Sequence, residues 1–95
     1  MKITETTIEF KSTPDKFYTE RSGLKPNTIR RITMWSELKE FEAFYQRYLH
    51  NKTVVNPDLY RIKIINTLTK EEFIRVLTDI TQFEDLFVFS WNGEE

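Results

Sequence analysis

Cysteine is missing from this sequence, and histidine, glycine and proline are scarce. Without cysteine there is no disulfide, no thiolate zinc site and no cysteine nucleophile. The lone histidine, His50, excludes a histidine-rich metal site and argues against a Ser-His-Asp triad. The two glycines do not form a Gly-rich phosphate loop. The sequence therefore predicts a protein without a metal ion or a cofactor.

Long hydrophobic runs are also missing. No apolar stretch approaches the roughly 20 residues that a membrane-spanning helix needs, and the polar residues Thr4–Thr7 do not resemble the apolar core of a signal peptide. The formal net charge of −1 excludes a histone-like polycation. We therefore expect a cytoplasmic protein that does not contact membranes.

Aromatic residues, by contrast, are abundant and make up 15% of the 95 positions. A chain of this length has room for one small core, so we expect residues 1–95 to fold as a single domain. Large rings must supply much of the area that this domain buries.

Alternation of polar and apolar residues, together with a composition that favours β-structure, predicts four strands. They are Thr6–Lys11, Thr28–Thr33, Leu59–Asn66 and Leu86–Trp91. The segment Thr69–Ile80 has helical apolar spacing after a possible capping box, but its composition favours a strand. We favour the strand, paired with Tyr60–Asn66 through a turn near Leu68–Glu71.

Two helices complete the pattern. The first is expected to begin with Thr13 as its cap and Pro14 as its first residue, and to run to about Ser22 before a left-handed Gly23. In the second, apolar residues recur at helical spacing after a candidate N-cap at Ser36, and Asn51 or Asn56-Pro57 limits its end. Its apolar positions, which we expect to pack in the core, are Leu38, Phe41, Phe44, Tyr45, Tyr48 and Leu49. The predicted fold is α+β: a small, mostly antiparallel five-stranded barrel with two helices.

Positive charge is concentrated between Arg21 and Arg31, which we call the basic segment. It carries four cationic side chains and no acidic one, whereas the last 25 residues carry seven acidic side chains against a single Arg75. One glycine and one proline lie in the same segment, so residues that favour a turn of the backbone coincide with the positive charge. This coincidence predicts a loop that receives an anion.

The chemistry of the basic segment suits phosphate and base recognition. Lys25 offers a point charge and Arg30 a planar fork of donors, Thr28 offers a hydroxyl, and Asn27 could read the edge of a base. Gly23 allows close approach of the backbone. The full set of candidate ligand-binding residues also includes Arg21, Arg31 and two rings that could stack on a base, Trp35 and Trp91.

Each of these residues also has a purely structural interpretation. Arg30 and Lys25 could pair with Glu20 or with the acidic C-terminal segment, Thr28 could be an ordinary strand residue, and Trp91 an ordinary core residue.

The spacing of Gly23, Lys25, Thr28 and Arg30 gives the pattern G-x-K-x-x-T-x-R. This pattern resembles the signature of ASCH domains, in the PUA-like superfamily, and the surrounding order of strand, short helix, glycine and strand is similar. The resemblance implies a PUA-like barrel with a cleft that binds RNA, a nucleotide or a modified base. The aromatic helix Leu38–Leu49 departs from the resemblance and could reshape that cleft.

Some ASCH proteins are amidohydrolases that act on acetylated cytidine with a lysine, a threonine and a glutamate. The resemblance places Lys25 and Thr28 at the matching positions, which makes them the candidate catalytic residues. The third residue is unassigned, and the candidates are Glu71, Glu72 and Asp79.

Three hypotheses follow. The first is a non-catalytic module that binds RNA or a nucleotide through the basic segment. The second is an amidohydrolase acting on an N-acylated nucleoside such as N4-acetylcytidine. The third is an accessory or inhibitor protein of a phage or mobile element that acts through protein–protein contacts.

Overall fold

The computed structural model describes residues 1–54 and 59–91. Its two helices have different lengths, and its strands range from two to twelve residues. In chain order the elements are β1 (Lys2–Ile3), β2 (Thr7–Ser12), α1 (Pro14–Arg21), β3 (Asn27–Arg31), α2 (Trp35–Val54), β4 (Arg61–Asn66), β5 (Glu72–Phe83) and β6 (Leu86–Trp91). Within these residues, neither helix is long and apolar enough to cross a membrane.

The strands in the described ranges form one six-stranded sheet, in the order β1-β2-β4-β5-β6-β3, which curls into a half-barrel. Strands β2 and β4 are parallel, and the other pairs are antiparallel. The predicted α+β class with two helices is confirmed. The predicted five strands are wrong, because β1 adds a sixth, and the mostly antiparallel barrel is instead a mixed half-barrel. Strand β1 escaped prediction because two residues are too few to show alternation.

From Glu72 onward the ambiguous segment Thr69–Ile80 lies in β5, and the predicted pairing with β4 is confirmed. The turn before β5 is closed by side chains: Asn66 Oδ1 accepts from the N–H of Leu68 at 2.9 Å, and the Thr69 hydroxyl accepts from the Glu71 N–H at 3.2 Å. The candidate capping box therefore stabilises a turn rather than a helix. A register shift between Leu77 and Asp79 interrupts the alternation of β5, which explains why its sequence resembles neither pattern cleanly.

The ends of α1 agree with the sequence prediction, whereas the start of α2 differs from it. Pro14 is the first residue of α1, and Gly23 adopts the predicted left-handed conformation with φ 84°. Thr13 occupies the N-cap position, but its hydroxyl makes no capping hydrogen bond there. Helix α2 begins at Trp35, so Ser36 is inside the helix and not its cap. Asn51 is also helical, and Asn56-Pro57 lies outside the described residues.

Rings from both helices pack against the strands and form the core, as the sequence predicted. The prediction was wrong for Leu49, whose side chain is 42% exposed on the outer side of α2. Phe41 of α2 lies 4.5 Å from Phe87 and 5.7 Å from Phe89, between ring centroids. Phe17 of α1 lies 5.3 Å from Phe73. Burying each such ring contributes about 1.5–3 kcal/mol, so these contacts hold the helices against the sheet and fix where the basic segment emerges.

Candidate functional site

The basic segment begins where α1 ends and reverses direction at Gly23. The Gly23 N–H donates to the Glu20 carbonyl at 3.4 Å, and the Lys25 N–H donates to the Thr19 carbonyl at 3.3 Å. These bonds satisfy carbonyls of the last helical turn, and only glycine adopts the required positive φ without a steric penalty from Cβ. The glycine therefore directs the chain from the end of α1 toward the start of β3.

Strand β3 then sends alternate side chains to opposite sides of the sheet. On one side of β3, Thr28 is buried and Arg30 is half-buried. On the other side, Ile29 and Arg31 are exposed. The two motif residues on β3 consequently point into the half-barrel rather than to the same surface as Lys25, whose side chain is exposed.

Arg30 is held by three hydrogen bonds and a ring. Its Nε donates to Thr28 Oγ1 at 2.9 Å, its Nη1 to the Lys11 carbonyl at 2.7 Å, and its Nη2 to Ser12 Oγ at 2.6 Å. The guanidinium also lies 4.9 Å from the centroid of the Phe10 ring. We call this arrangement the Arg30 clamp. It joins β3 to the end of β2, two strands that do not pair in the sheet.

A buried carboxylate completes the clamp. Glu20, which is only 1% exposed, accepts a hydrogen bond from Ser12 Oγ at 2.9 Å. Burial lowers the pKa of the Arg30 guanidinium, and the negative charge of Glu20 opposes that shift. The alternative pairing of Arg30 with Glu20 thus occurs through Ser12. Sequence reasoning missed the role of Ser12, although Glu20 follows the buried Phe17 at helical spacing and so carried a signal.

Two further cations of the basic segment form exposed ion pairs with the acidic half of the chain. Arg21 Nη1 lies 3.1 Å from Glu71 Oε2, and Arg31 Nε lies 3.2 Å from Asp85 Oδ2. The Lys25 side chain has no partner among the residues that the structure describes. The four cations therefore differ in environment: one is clamped, two are paired at the surface, and one is exposed alone.

The two candidate stacking rings have opposite environments. Trp35, at the start of α2, is 69% exposed, and Lys39 Nζ lies 4.2 Å from the centroid of its ring. Trp91 is 3% exposed and packs against Phe73 in the core. The structural interpretation of Trp91 therefore holds in this structure, and only Trp35 presents a ring to solvent. Asn27 is half-buried at the start of β3.

The structure does not bring the candidate catalytic residues together through any described contact. Thr28 holds Arg30 inside the half-barrel, and Lys25 lies outside. The candidate carboxylates have other partners: Glu71 accepts from Tyr18, Glu72 pairs with Lys63, and Asp79 accepts from Thr81. The arrangement suits binding of an anion better than attack by a threonine hydroxyl.

An open groove of about 260 Å³ lies elsewhere, on the sheet face away from the core. It is lined by residues of β1, β2, β4 and β5 and their connections, namely Lys2, Thr4, Thr7, Glu9, Lys63 and Ile74. None of the motif residues lines it.

Comparisons with models of protein families, with curated proteins and with solved structures found no match to this chain. The resemblance to ASCH domains accordingly stays a prediction that rests on the motif.

Proposed function

We propose that this protein binds RNA through the basic segment and does not catalyse a reaction. The observation that carries the proposal is the Arg30 clamp, because it presents a guanidinium whose position is already fixed. Three of its five N–H groups have partners among the described residues, so two remain for phosphate oxygens. The proposal agrees with the nucleotide-handling role that the ASCH resemblance implies.

The surface ion pairs do not prevent phosphate from binding. Exposed pairs such as Arg21–Glu71 and Arg31–Asp85 contribute only about 0–1 kcal/mol each. A charge-assisted, bidentate contact between arginine and phosphate is stronger. Both arginines can therefore exchange their carboxylates for phosphates, while Lys25 is available without any exchange.

Trp35 favours an oligonucleotide over a single nucleoside. Strand β3 alone spans about 13 Å, and Lys25 and Trp35 lie beyond its opposite ends. A ligand that contacts both residues must be longer than one nucleoside. Stacking of a base on such a ring is worth about 1–3 kcal/mol, and single strands expose the base faces that stacking requires.

Fluorescence anisotropy with a labelled, mixed-sequence single-stranded RNA tests the proposal across a range of salt concentrations. Four phosphate contacts, one for each cation of the basic segment, predict that log K falls with log salt with a slope of about −3. Lys25→Ala should weaken binding and reduce the steepness of that slope by about 0.7. Trp35→Ala should weaken binding roughly tenfold with little change in slope.

Arg61→Ala is the matched control, because Arg61 is an exposed cation on β4, away from the basic segment. It should leave affinity unchanged. Binding that is indifferent to salt and to Lys25→Ala, or that falls equally in Arg61→Ala, would contradict the proposed site.

A further inference from the structure

Strand β3 is the last strand on one side of the sheet, and it pairs only with β6. Just outside the strand, the Pro26 carbonyl accepts from an N–H of β6 at 3.0 Å, and the Ile32 N–H donates to the β5–β6 turn at 3.1 Å. In an antiparallel pair, alternate residues direct both backbone groups to the same neighbour. Thr28 and Arg30, which continue this even-numbered series, therefore bond to β6.

The odd-numbered residues of β3 direct their backbone groups the opposite way. The N–H and C=O groups of Asn27, Ile29 and Arg31 consequently form the outer edge of the sheet. Within residues 1–54 and 59–91, no hydrogen bond reaches these six groups. They are a ready template for another strand, because each already points outward in the plane of the sheet.

The two edges of the sheet are not equally protected. The opposite edge is β1, which has only two residues, and short edge strands are a common protection against unwanted pairing. Strand β3 has five residues with an unbroken register, contains no proline, and carries Ile29 at its centre with 54% exposure. Its remaining protection is the positive charge of Arg30 and Arg31, which repels another cationic strand but not an acidic one.

The charges around this edge specify what it can accept. Lys25 is exposed next to its beginning, and Arg31 is exposed at its end in a weak surface pair with Asp85. We propose that the β3 edge binds an extended acidic peptide of a partner protein, which adds to the sheet as a further strand. Backbone hydrogen bonds supply the docking, and the two cations select acidic side chains.

A seven-residue peptide of alternating glutamate and valine is a suitable probe, with amide hydrogen exchange followed by NMR. Addition of the peptide should slow exchange at Asn27, Ile29 and Arg31 by at least about tenfold. Thr28 and Arg30, already bonded to β6, should hardly change. Slower exchange at every second amide is specific to strand addition, because RNA bound to the side chains would not protect alternate amides.

Two variants test the two parts of the proposal. Ile29→Pro removes one outward N–H and should abolish the protection, without removing any bond to β6. The double variant Lys25→Glu, Arg31→Glu keeps the backbone edge and should weaken binding of the acidic peptide by roughly tenfold. It should also gain affinity for the matching peptide of alternating lysine and valine.

Three results would overturn the inference. One is unchanged exchange at the odd-numbered amides at saturating peptide. Another is equal binding of the acidic and basic peptides to the unaltered protein. The third is protection of these amides without peptide that rises with protein concentration, which would assign the edge to a second copy of the chain.

Discussion

At the scale of single residues, Arg30 joins fold and proposed function. Its guanidinium donates hydrogen bonds to the Thr28 hydroxyl, the Ser12 hydroxyl and the Lys11 carbonyl. The nearby Glu20 carboxylate is buried. The motif spacing predicted that Thr28 and Arg30 matter, but not that they contact each other inside the half-barrel. Their partner Ser12 is 18 positions from Arg30, so only the curling of the sheet brings the pair together.

Replacement of Arg30 by alanine should reduce the free energy of unfolding by about 2–4 kcal/mol. Hydrogen bonds to a charged group are worth about 1.5–3 kcal/mol, and buried polar partners left unsatisfied add to the loss. Arg31→Ala is the matched control, because its exposed pair with Asp85 should contribute less than about 1 kcal/mol. Urea unfolding followed by circular dichroism measures both changes.

Arg30→Lys separates charge from geometry. A lysine keeps the positive charge but cannot hold three partners in a planar fork, so it should recover less than half of the lost stability. Equal losses in Arg30→Ala and Arg31→Ala would show that the clamp does not stabilise the fold.

At the scale of elements, α1 is tied to the turn before β5 by one carboxylate. Glu71 accepts from the Tyr18 hydroxyl at 2.9 Å, from Arg21 Nη1 at 3.1 Å and from the Thr69 hydroxyl at 3.1 Å. The hydrogen bond from Tyr18, followed by that from Thr69, lowers the pKa of the Glu71 carboxyl below its ordinary value of 4.5. This connection therefore depends on pH.

The sign of that dependence follows from the lowered pKa. The stabilisation is fully present above pH 4.5 and is lost as the pH falls through the lower pKa of the folded state, because the unfolded chain binds the proton more readily. Urea midpoints measured between pH 3 and pH 6 should fall at the acidic end. Glu71→Gln should make this part of the profile flatter.

Tyr18→Phe provides the matched test for the same contact. It removes the main donor to Glu71 but keeps the ring, so it should also flatten the profile below pH 4.5. If the wild-type, Glu71→Gln and Tyr18→Phe profiles coincide there, Glu71 does not couple α1 to the turn.

The elements themselves were predictable where local chemistry decides them. Proline and glycine mark the two ends of α1, and alternation marks β6 with its observed bounds, Leu86–Trp91. Strand β5 was ambiguous because a shift in register breaks its alternation. The Arg21–Glu71 contact was not predicted, since its partners lie 50 positions apart.

At the scale of the whole molecule, the sequence predicted the class of fold but not the arrangement of strands. The parallel pairing of β2 with β4 joins segments separated by both helices and β3. No local sequence pattern predicts such a pairing. The antiparallel hairpins β4–β5 and β5–β6, by contrast, can be predicted because short connections join their strands. The half-barrel leaves β3 as an edge, which a closed barrel would not have done.

The aromatic core holds the half-barrel together, and Phe41 is where α2 meets the sheet. Its ring is buried and contacts Tyr45, Phe87 and Phe89. Phe41→Ala should lower the free energy of unfolding by about 3–5 kcal/mol, because the lost burial is compounded by a cavity. Since small domains are stable by only about 5–15 kcal/mol, the variant should melt well below the unaltered protein in calorimetry.

Phe83→Ala is the control that keeps the residue type but removes the burial, because Phe83 lies at the end of β5 and is largely exposed. Its effect should remain within about 0.5 kcal/mol. Similar losses in the two variants would mean that contacts of α2 with β6 do not dominate the core. A large loss at Phe41 alone would show that the contact of α2 with β6 is a main source of the stability of this domain.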